Sequence, residues 1–323
     1  MSGARATVLI PARNEALDIV GCVQAVASQQ DVDELEVILV DGCSDDDTVD
    51  RALSAADALG LDLRVLSNPR RTAATALNLG LGGGQHEVVV RVDARSLVGP
   101  NHVARCCELL ADPRVGVVGG GQQSMARNGA GWAERSIARA LGNRYTTGLA
   151  RYRRGATAGA TDTVWMGAFR RDDLERVGGW PEFPEQNQDY RLNQRLREAG
   201  YLVWFDPALT AGYLPRGDFR SLARQYYRFG LAKGTVWRRG ERPSARHLLI
   251  LSAPLVGGLV LLGVGRRWGP ARVGLLLGVG ACAIDHIGSD RPAGPQERVG
   301  AVCATAVVDG AWLAGVVAAL VRR

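Results

Sequence analysis

Lysine is almost absent from this 323-residue chain: Lys233 is the only one, and the formal net charge of +6 rests on arginine. An arginine-favouring codon bias accounts for that balance without nucleic acid, so no nucleic-acid partner is expected. Phosphate-facing and juxtamembrane roles are compatible with it. The six cysteines (Cys22, Cys43, Cys106, Cys107, Cys282, Cys303) form no C-x-x-C pair. This excludes a disulfide framework and predicts reduced, buried thiols. No G-x-G-x-x-G turn follows the first apolar run, and no Gly-rich, Lys-containing loop replaces it, which removes the dinucleotide-binding and nucleotidyltransferase readings. Internal repeats are lacking as well. The first strand, Ala6-Thr-Val-Leu-Ile10, lies so near Met1 that no signal peptide fits, which predicts a cytoplasmic N-terminal domain.

Two apolar runs end abruptly on an acid: Glu36-Val-Ile-Leu-Val-Asp41 and Glu87-Val-Val-Val-Arg-Val-Asp93. Short runs of β-branched residues read as strands buried in a parallel sheet. Ligands of open α/β sheets bind beyond the carboxyl ends of the strands, so both acids stand where a nucleotide or a metal-bound phosphate would lie. Strands are expected at 7–10 (stopped by Pro11), 36–40, 63–66, 88–92, 115–118 and 202–205. Helices are expected at 15–29, 48–59, 72–81, 102–110, 132–141, 172–177, 188–199 and 219–238. This alternation predicts an α/β fold, a mainly parallel sheet covered by helices on both faces.

Beyond residue 240 the composition turns apolar. Three stretches follow, at 247–265, 273–284 and 300–321, the last containing Asp309. A membrane span needs about 20 mainly apolar residues, so the first and third qualify and the second reads as re-entrant or protein-packed. A buried helical subdomain is the alternative. The predicted organisation is a catalytic domain over 1–240, closed by a basic amphipathic helix, and a membrane region over 241–323. The protein is placed at the cytoplasmic membrane. Arg238, Arg239, Arg242 and Arg246 before the first stretch, against Arg266, Arg267 and Arg272 after it, leave the orientation open.

Several clusters carry chemistry. In Pro11-Ala-Arg-Asn-Glu15 and Asp41-Gly-Cys-Ser-Asp-Asp-Asp47, Asp41 can accept from a nucleobase N–H, Gly42 permits close backbone approach, and Asp45–Asp47 suit a helix cap. Asp93-Ala-Arg95 stands where a pair of acids would hold Mg²⁺ or Mn²⁺ against a diphosphate, with arginine in the second place. If the strand continues, Asp93 and Arg95 share a face and compete for one locale. Asp162 opens Thr163-Val-Trp-Met-Gly-Ala-Phe-Arg-Arg171, and Asn187-Gln-Asp-Tyr190 starts a helix in which Asp189 is either an N-terminal helix acid or a general base. Gln225, Arg228 and Phe229 lie on the basic helix.

As an ordered set these motifs resemble the inverting glycosyltransferases of family 2, with the GT-A fold, over about residues 7–237. Thr161-Asp-Thr-Val-Trp-Met-Gly-Ala-Phe-Arg-Arg and Asn187-Gln-Asp-Tyr-Arg-Leu-Asn bring it nearest the succinoglycan-biosynthesis glucosyltransferase branch. The resemblance implies a nucleotide-sugar pocket of Pro11, Asn14, Glu15 and Asp41, with Arg95 and Arg228 also on the donor. It implies Asp93 at the metal and diphosphate, and Asp189 as catalytic base. Asp162, Trp165, Gly167, Gln225 and Phe229 would contact acceptor or product. Gln225, Arg228 and Phe229 resemble the Q-x-x-R-W motif of polysaccharide synthases, with Phe for Trp. The implied reaction moves a sugar from a UDP-sugar to a hydroxyl of a lipid-linked or growing glycan. A polyprenyl-phosphate glycosyltransferase and a non-catalytic sugar-nucleotide-binding membrane protein are the alternatives.

Overall fold

The computed structural model describes residues 3–143, 146, 157–183, 188–240 and 293–321. The chain divides into two compact units, Met1–Gln123 with Leu149–Leu214, and Ser124–Gly148 with Pro215–Arg323. The boundary expected at residue 240 therefore falls inside the second unit, whose C-terminal segment begins at Pro215. The apolar stretches expected at 247–265 and 273–284, and Asn187, lie outside the described residues.

In the first unit, the apolar runs noted above become β1 (Ala4–Ala12), β2 (Val32–Asp41), β3 (Leu63–Ser67) and β4 (Val88–Arg91), lying in the order β3-β2-β1-β4 with every pair parallel. The sheet continues through β9 (Trp165–Arg170), β6 (Val115–Gly120), β10 (Leu202–Phe205) and β8 (Gly159–Ala160). β9 runs antiparallel to both β4 and β6, and β8 antiparallel to β10. The mainly parallel sheet is thus present, with an antiparallel strand inserted at its middle. A separate small sheet joins β5 (Ser96–Leu97), β11 (Ala211–Tyr213) and β7 (Gln122–Ser124) in the order β5-β11-β7.

Both faces of the large sheet are covered, which is why its strands are apolar without alternation. Val8 and Ile10 point into one core with Val23 of α1 (Ile19–Ala27), Ala52 of α2 (Thr48–Ala58) and Cys106 of α4 (His102–Leu110). Leu9, Ile38 and Val40 point into the other, with Leu77 of α3 (Ala73–Gly83), Leu174 of α6 (Arg171–Arg176) and Leu192 of α7 (Gln188–Glu198). Val37, Ile38, Leu39 and Val40 are all wholly buried. Each such side chain is worth about 1.5–3 kcal/mol over an exposed one, so these runs fix the register that sets Asp41 at the strand's end.

Two boundaries differ from expectation. Pro11 does not stop β1: β4 pairs with β1 only as far as Leu9, so the missing N–H leaves no bond unmade there, and β1 runs on beside β2 to Ala12. The strand after Glu87 ends at Arg91, and a turn closes with Ser96 N donating to Asp93 O at 2.8 Å.

The second unit holds α5 (Trp132–Leu141), α8 (Phe219–Arg238) and α9 (Pro295–Val321). α9 is long and apolar enough to cross a membrane, with a mean hydropathy of 1.9 over its best window, and takes in the stretch expected at 300–321. α8 meets it through small residues: a Cβ at Gly234 would lie 2.6 Å from Ala319 Cβ. Trp237 and Trp312 meet edge-on at 6.1 Å, and Arg238 Nη1 donates to Ala319 O at 3.1 Å.

Candidate active site

The loops after β1 and β2 are stitched together by their own polar groups. Asn14 adopts a left-handed φ of 55°; its N–H donates to Ser44 Oγ at 2.9 Å, and its Oδ1 accepts from Asp45 N at 3.0 Å. Glu15 N donates to Thr48 Oγ1 at 2.8 Å. Asp41 is 9% exposed and accepts from Ser44 N at 3.0 Å and Ser44 Oγ at 2.5 Å. Of the three acids expected to cap α2, Asp46 makes side-chain bonds, accepting from Thr48 N at 3.1 Å and Ala16 N at 3.2 Å, while Asp47 makes no cap bond. Gly42 serves the same stitching: a Cβ there would lie 3.1 Å from Arg13 Cβ, so the backbone it lets approach is the neighbouring loop. Pro11 is half-buried beside Val40, at the foot of this loop pair.

Arg95 corrects the expectation of a shared face with Asp93. Because β4 stops at Arg91, strand alternation no longer governs the next residues, and Arg95 turns to Glu15, Nε to Oε2 at 3.2 Å, each side chain 13% exposed. Its guanidinium lies 5.9 Å from the Tyr213 ring centroid, and Nη1 is buried without a hydrogen-bond partner among the described residues. Tyr213 in turn meets Trp165 edge-on at 6.1 Å. Glu15, Arg95, Tyr213 and Trp165 thus form one connected wall.

Asp93 is held instead by Arg91. Nε donates to Asp93 Oδ1 at 2.7 Å and Nη2 to Oδ2 at 3.3 Å, while Nη1 donates to Asp189 Oδ1 at 2.5 Å. Asp93 N also donates to the Sδ of Met166, itself at a left-handed φ of 49°. Burial alone would depress the Arg91 guanidinium, and the two carboxylates reverse this, holding it above its ordinary value. The Asp189 carboxyl is raised: loss of solvation contributes most, Arg91 opposes it, and the Asp93 charge adds to it. Even so, 32% of the Asp189 side chain stays exposed, and among the described residues no bond engages Oδ2.

Arg91 stood outside the expected site. The signal was present, since an arginine inside an otherwise apolar strand must find carboxylates to be buried at all. Asn193, wholly buried in α7, was also unmarked; its Nδ2 donates to Thr163 Oγ1 at 3.0 Å, binding the two motifs that contain Asp162 and Asp189.

Other candidates fall elsewhere. Asp162 is exposed, and its carboxylate accepts from Thr161 Oγ1 at 3.3 Å. Gly167 is buried in β9, where a Cβ would lie 2.7 Å from Phe169 and from Val117, so close packing within the sheet requires that glycine. Gln225, Arg228 and Phe229 lie on α8 in the second unit, Arg228 exposed and Phe229 edge-on to Tyr226 at 5.5 Å.

Among the described residues, no three His, Cys, Asp or Glu side chains gather as a self-sufficient metal site. Asp93 fits a looser arrangement, in which one carboxylate joins substrate phosphates around the ion.

Residues 7–178, more than half of the chain, match the family model for glycosyl transferase family 2. The chain is 26% identical over 327 residues to the succinoglycan biosynthesis protein ExoA of Rhizobium meliloti (strain 1021), covering 98% of this chain and 94% of that protein. It is 25% identical over 255 residues to the glycosyltransferase AglE of Haloferax volcanii, covering 79% and 81%. Among solved structures, mannosyltransferase PcManGT from Pyrobaculum calidifontis, in complex with GDP-Man and Mn²⁺, aligns at TM-score 0.63 and 23% identity, covering 98% of this chain and 87% of that one. TarS of S. aureus, residues 1–349, aligns at TM-score 0.50 and 15% identity, covering 95% and 90%. These likenesses establish a GT-A fold.

Proposed function

The chain belongs to glycosyltransferase family 2, and on that premise we propose that it moves a sugar from a nucleoside diphosphate, UDP being the expected carrier, to a hydroxyl of a lipid-linked or growing glycan. The configuration at the anomeric carbon inverts. The setting is exopolysaccharide or cell-envelope glycan synthesis, a reading supported by near full-length similarity to a protein named for succinoglycan biosynthesis. The apolar α9 supports a membrane anchor, with the catalytic unit on the cytoplasmic side.

The observation that carries the mechanism is the state of Asp189. One carboxylate oxygen is fixed by Arg91 and the other is free among the described residues, so Oδ2 can take the proton of an acceptor hydroxyl. The deprotonated oxygen attacks the anomeric carbon opposite the diphosphate, whose bond to that carbon breaks. Charge then accumulates on the diphosphate. Asp93 would hold Mg²⁺ or Mn²⁺, which supplies Lewis-acid stabilisation of the leaving group. Arg95, with its orphaned Nη1, offers a further donor to phosphate oxygens. Asn14, Glu15 and Asp41, on the stitched loops, supply the nucleoside side of the pocket, with Pro11 beneath them. Trp165 stands on the acceptor side of the wall, and Gln225, Arg228 and Phe229 are assigned by motif to the glycan or its donor.

A thermal-shift panel of UDP- and GDP-sugars, with and without Mn²⁺, tests the donor assignment, because a ligand that binds the native state raises its stability. Stabilisation by at least one sugar nucleotide, larger with Mn²⁺, is expected. No shift across the panel would remove the donor site. Transfer that survives Asp189→Asn would favour a phosphate acceptor, which needs little base catalysis.

A further inference from the structure

Arg91 is the one charged residue of β4, whose other residues are all valine, and it is 8% exposed. A guanidinium withdrawn from water is tolerated when carboxylates meet its fork. Here the fork is divided: Nε and Nη2 grip Asp93, and Nη1 reaches Asp189, which stands 98 residues further along the chain. The planar group therefore fixes both the distance and the angle between two acids that arrive on different elements. Among the described residues, no other hydrogen bond orients the Asp189 carboxylate. The α7 helix is itself tied to the Thr163 segment through Asn193, which sets the height of Asp189 but leaves its carboxylate rotation to Arg91.

We propose that Arg91 is a positioning residue that joins the donor-side acid Asp93 and the base Asp189 into one assembly, holding Asp189 Oδ1 so that Oδ2 is presented to the acceptor. The inference rests on Asp189 being the base. It assigns Arg91 two effects: through Asp189 it governs turnover, and through Asp93 it steadies the place where the diphosphate and its cation dock. Neither effect is charge neutralisation alone, which any buried cation would supply.

Arg91→Lys separates the two ideas, since an ammonium retains the charge and cannot span both carboxylates at fixed angles. The sugar nucleotide that stabilises the protein most in the panel serves as donor, with cell membranes as acceptor source, and nucleoside diphosphate release is followed. Calorimetry of the corresponding nucleoside diphosphate with Mn²⁺ supplies a readout independent of activity. Expected is a fall in kcat of roughly 30-fold or more, with donor KM and nucleoside diphosphate affinity within about fivefold of the parent. In an Asp189→Asn background, Arg91→Lys should lower kcat by less than about threefold more, because its effect on turnover passes through Asp189. Full multiplication of the two losses overturns the proposal. So does an Arg91→Lys enzyme with parental kcat, or one that is unfolded by circular dichroism at 25 °C, which would make Arg91 a structural cation. An active Asp189→Asn enzyme overturns the base reading and this proposal with it, whereas an inactive Asp189→Asn beside an active Arg91→Lys overturns the proposal alone.

Discussion

The loops that follow β1 and β2 and the turn that follows β4 occupy the same edge of the sheet, yet they hold their acids by different means. After β1 and β2, Asp41 and Asp46 accept from backbone amides and from the hydroxyls of Ser44 and Thr48. Those donors are neutral, so the geometry of both carboxylates is fixed without a countercharge. After β4, a buried guanidinium does the holding, and Arg91 offsets part of the charge of Asp93 and Asp189. The difference suits the two ends of a nucleotide sugar. In the proposed site a nucleoside, with its N–H and O–H donors, would meet carboxylates held by neutral groups, and a diphosphate, with its negative charge, would meet acids already partnered by a cation.

This contrast is broken most severely at Asp189. Asp189→Asn should lower turnover by about 10²-fold or more and leave nucleoside diphosphate binding nearly intact, read by steady-state kinetics beside calorimetry. Next in size is Asp93→Ala, which should weaken Mn²⁺-dependent nucleoside diphosphate binding by roughly tenfold, and chelation by EDTA should abolish transfer by the parent enzyme. Unchanged transfer in EDTA would leave the diphosphate to Arg95 alone. A smaller effect concerns pH. A base must be ionised, and the Asp189 carboxyl lies above the ordinary value of 3.8, so turnover should fall on acidification at a pH above that value. Asp93→Asn removes a like charge that helps to raise it, and should move this acid limb downward in any pH–rate profile that remains measurable. Smallest is Ser44→Ala, which deletes the hydroxyl's bond to Asp41 and the exposed one it accepts from Asn14 N, and keeps the amide bond to Asp41. A loss of about 0.5–1.5 kcal/mol in stability by denaturant melts is expected, with a few-fold loss of donor affinity.

How far the sequence foretold this site follows from the kind of signal each part carries. The acids at Asp41 and Asp93 stood out because a buried parallel strand tolerates a carboxylate only at its end. The helices at 102–110, 132–141 and 219–238 were read with the bounds they have, because apolar periodicity and flanking polar residues agree there. The direction of Arg95 depends on where β4 stops, and that stop is set by pairing with β1 and β9, which no local pattern reveals. β9 escaped notice for a related reason: Trp165-Met-Gly-Ala-Phe-Arg170 has no polar face, since it is buried on both sides, with Met166 and Ala168 in one core and Phe169 in the other. Ligation between distant segments, such as Arg91 to Asp189, is a tertiary fact that the strand can only hint at by carrying an arginine at all.

The position of β9 has a consequence for how the molecule is made. It is the strand that bridges β4 to β6, yet both of them precede it in the chain, so during synthesis both emerge before the strand that joins them. The β3-β2-β1-β4 fragment has short crossovers and can form as soon as its residues emerge, but one side of β4 then stands bare. At that moment Arg91 has Asp93 within reach and no Asp189. A nascent chain stalled before residue 165 would carry an open, valine-rich edge beside a half-neutralised guanidinium, a species prone to pair with another copy of itself. Completion of β9 seals that edge, and the emergence of α7 soon afterwards brings the second acid. The steps that cover the open edge of β4 are therefore also the steps that assemble its chemistry.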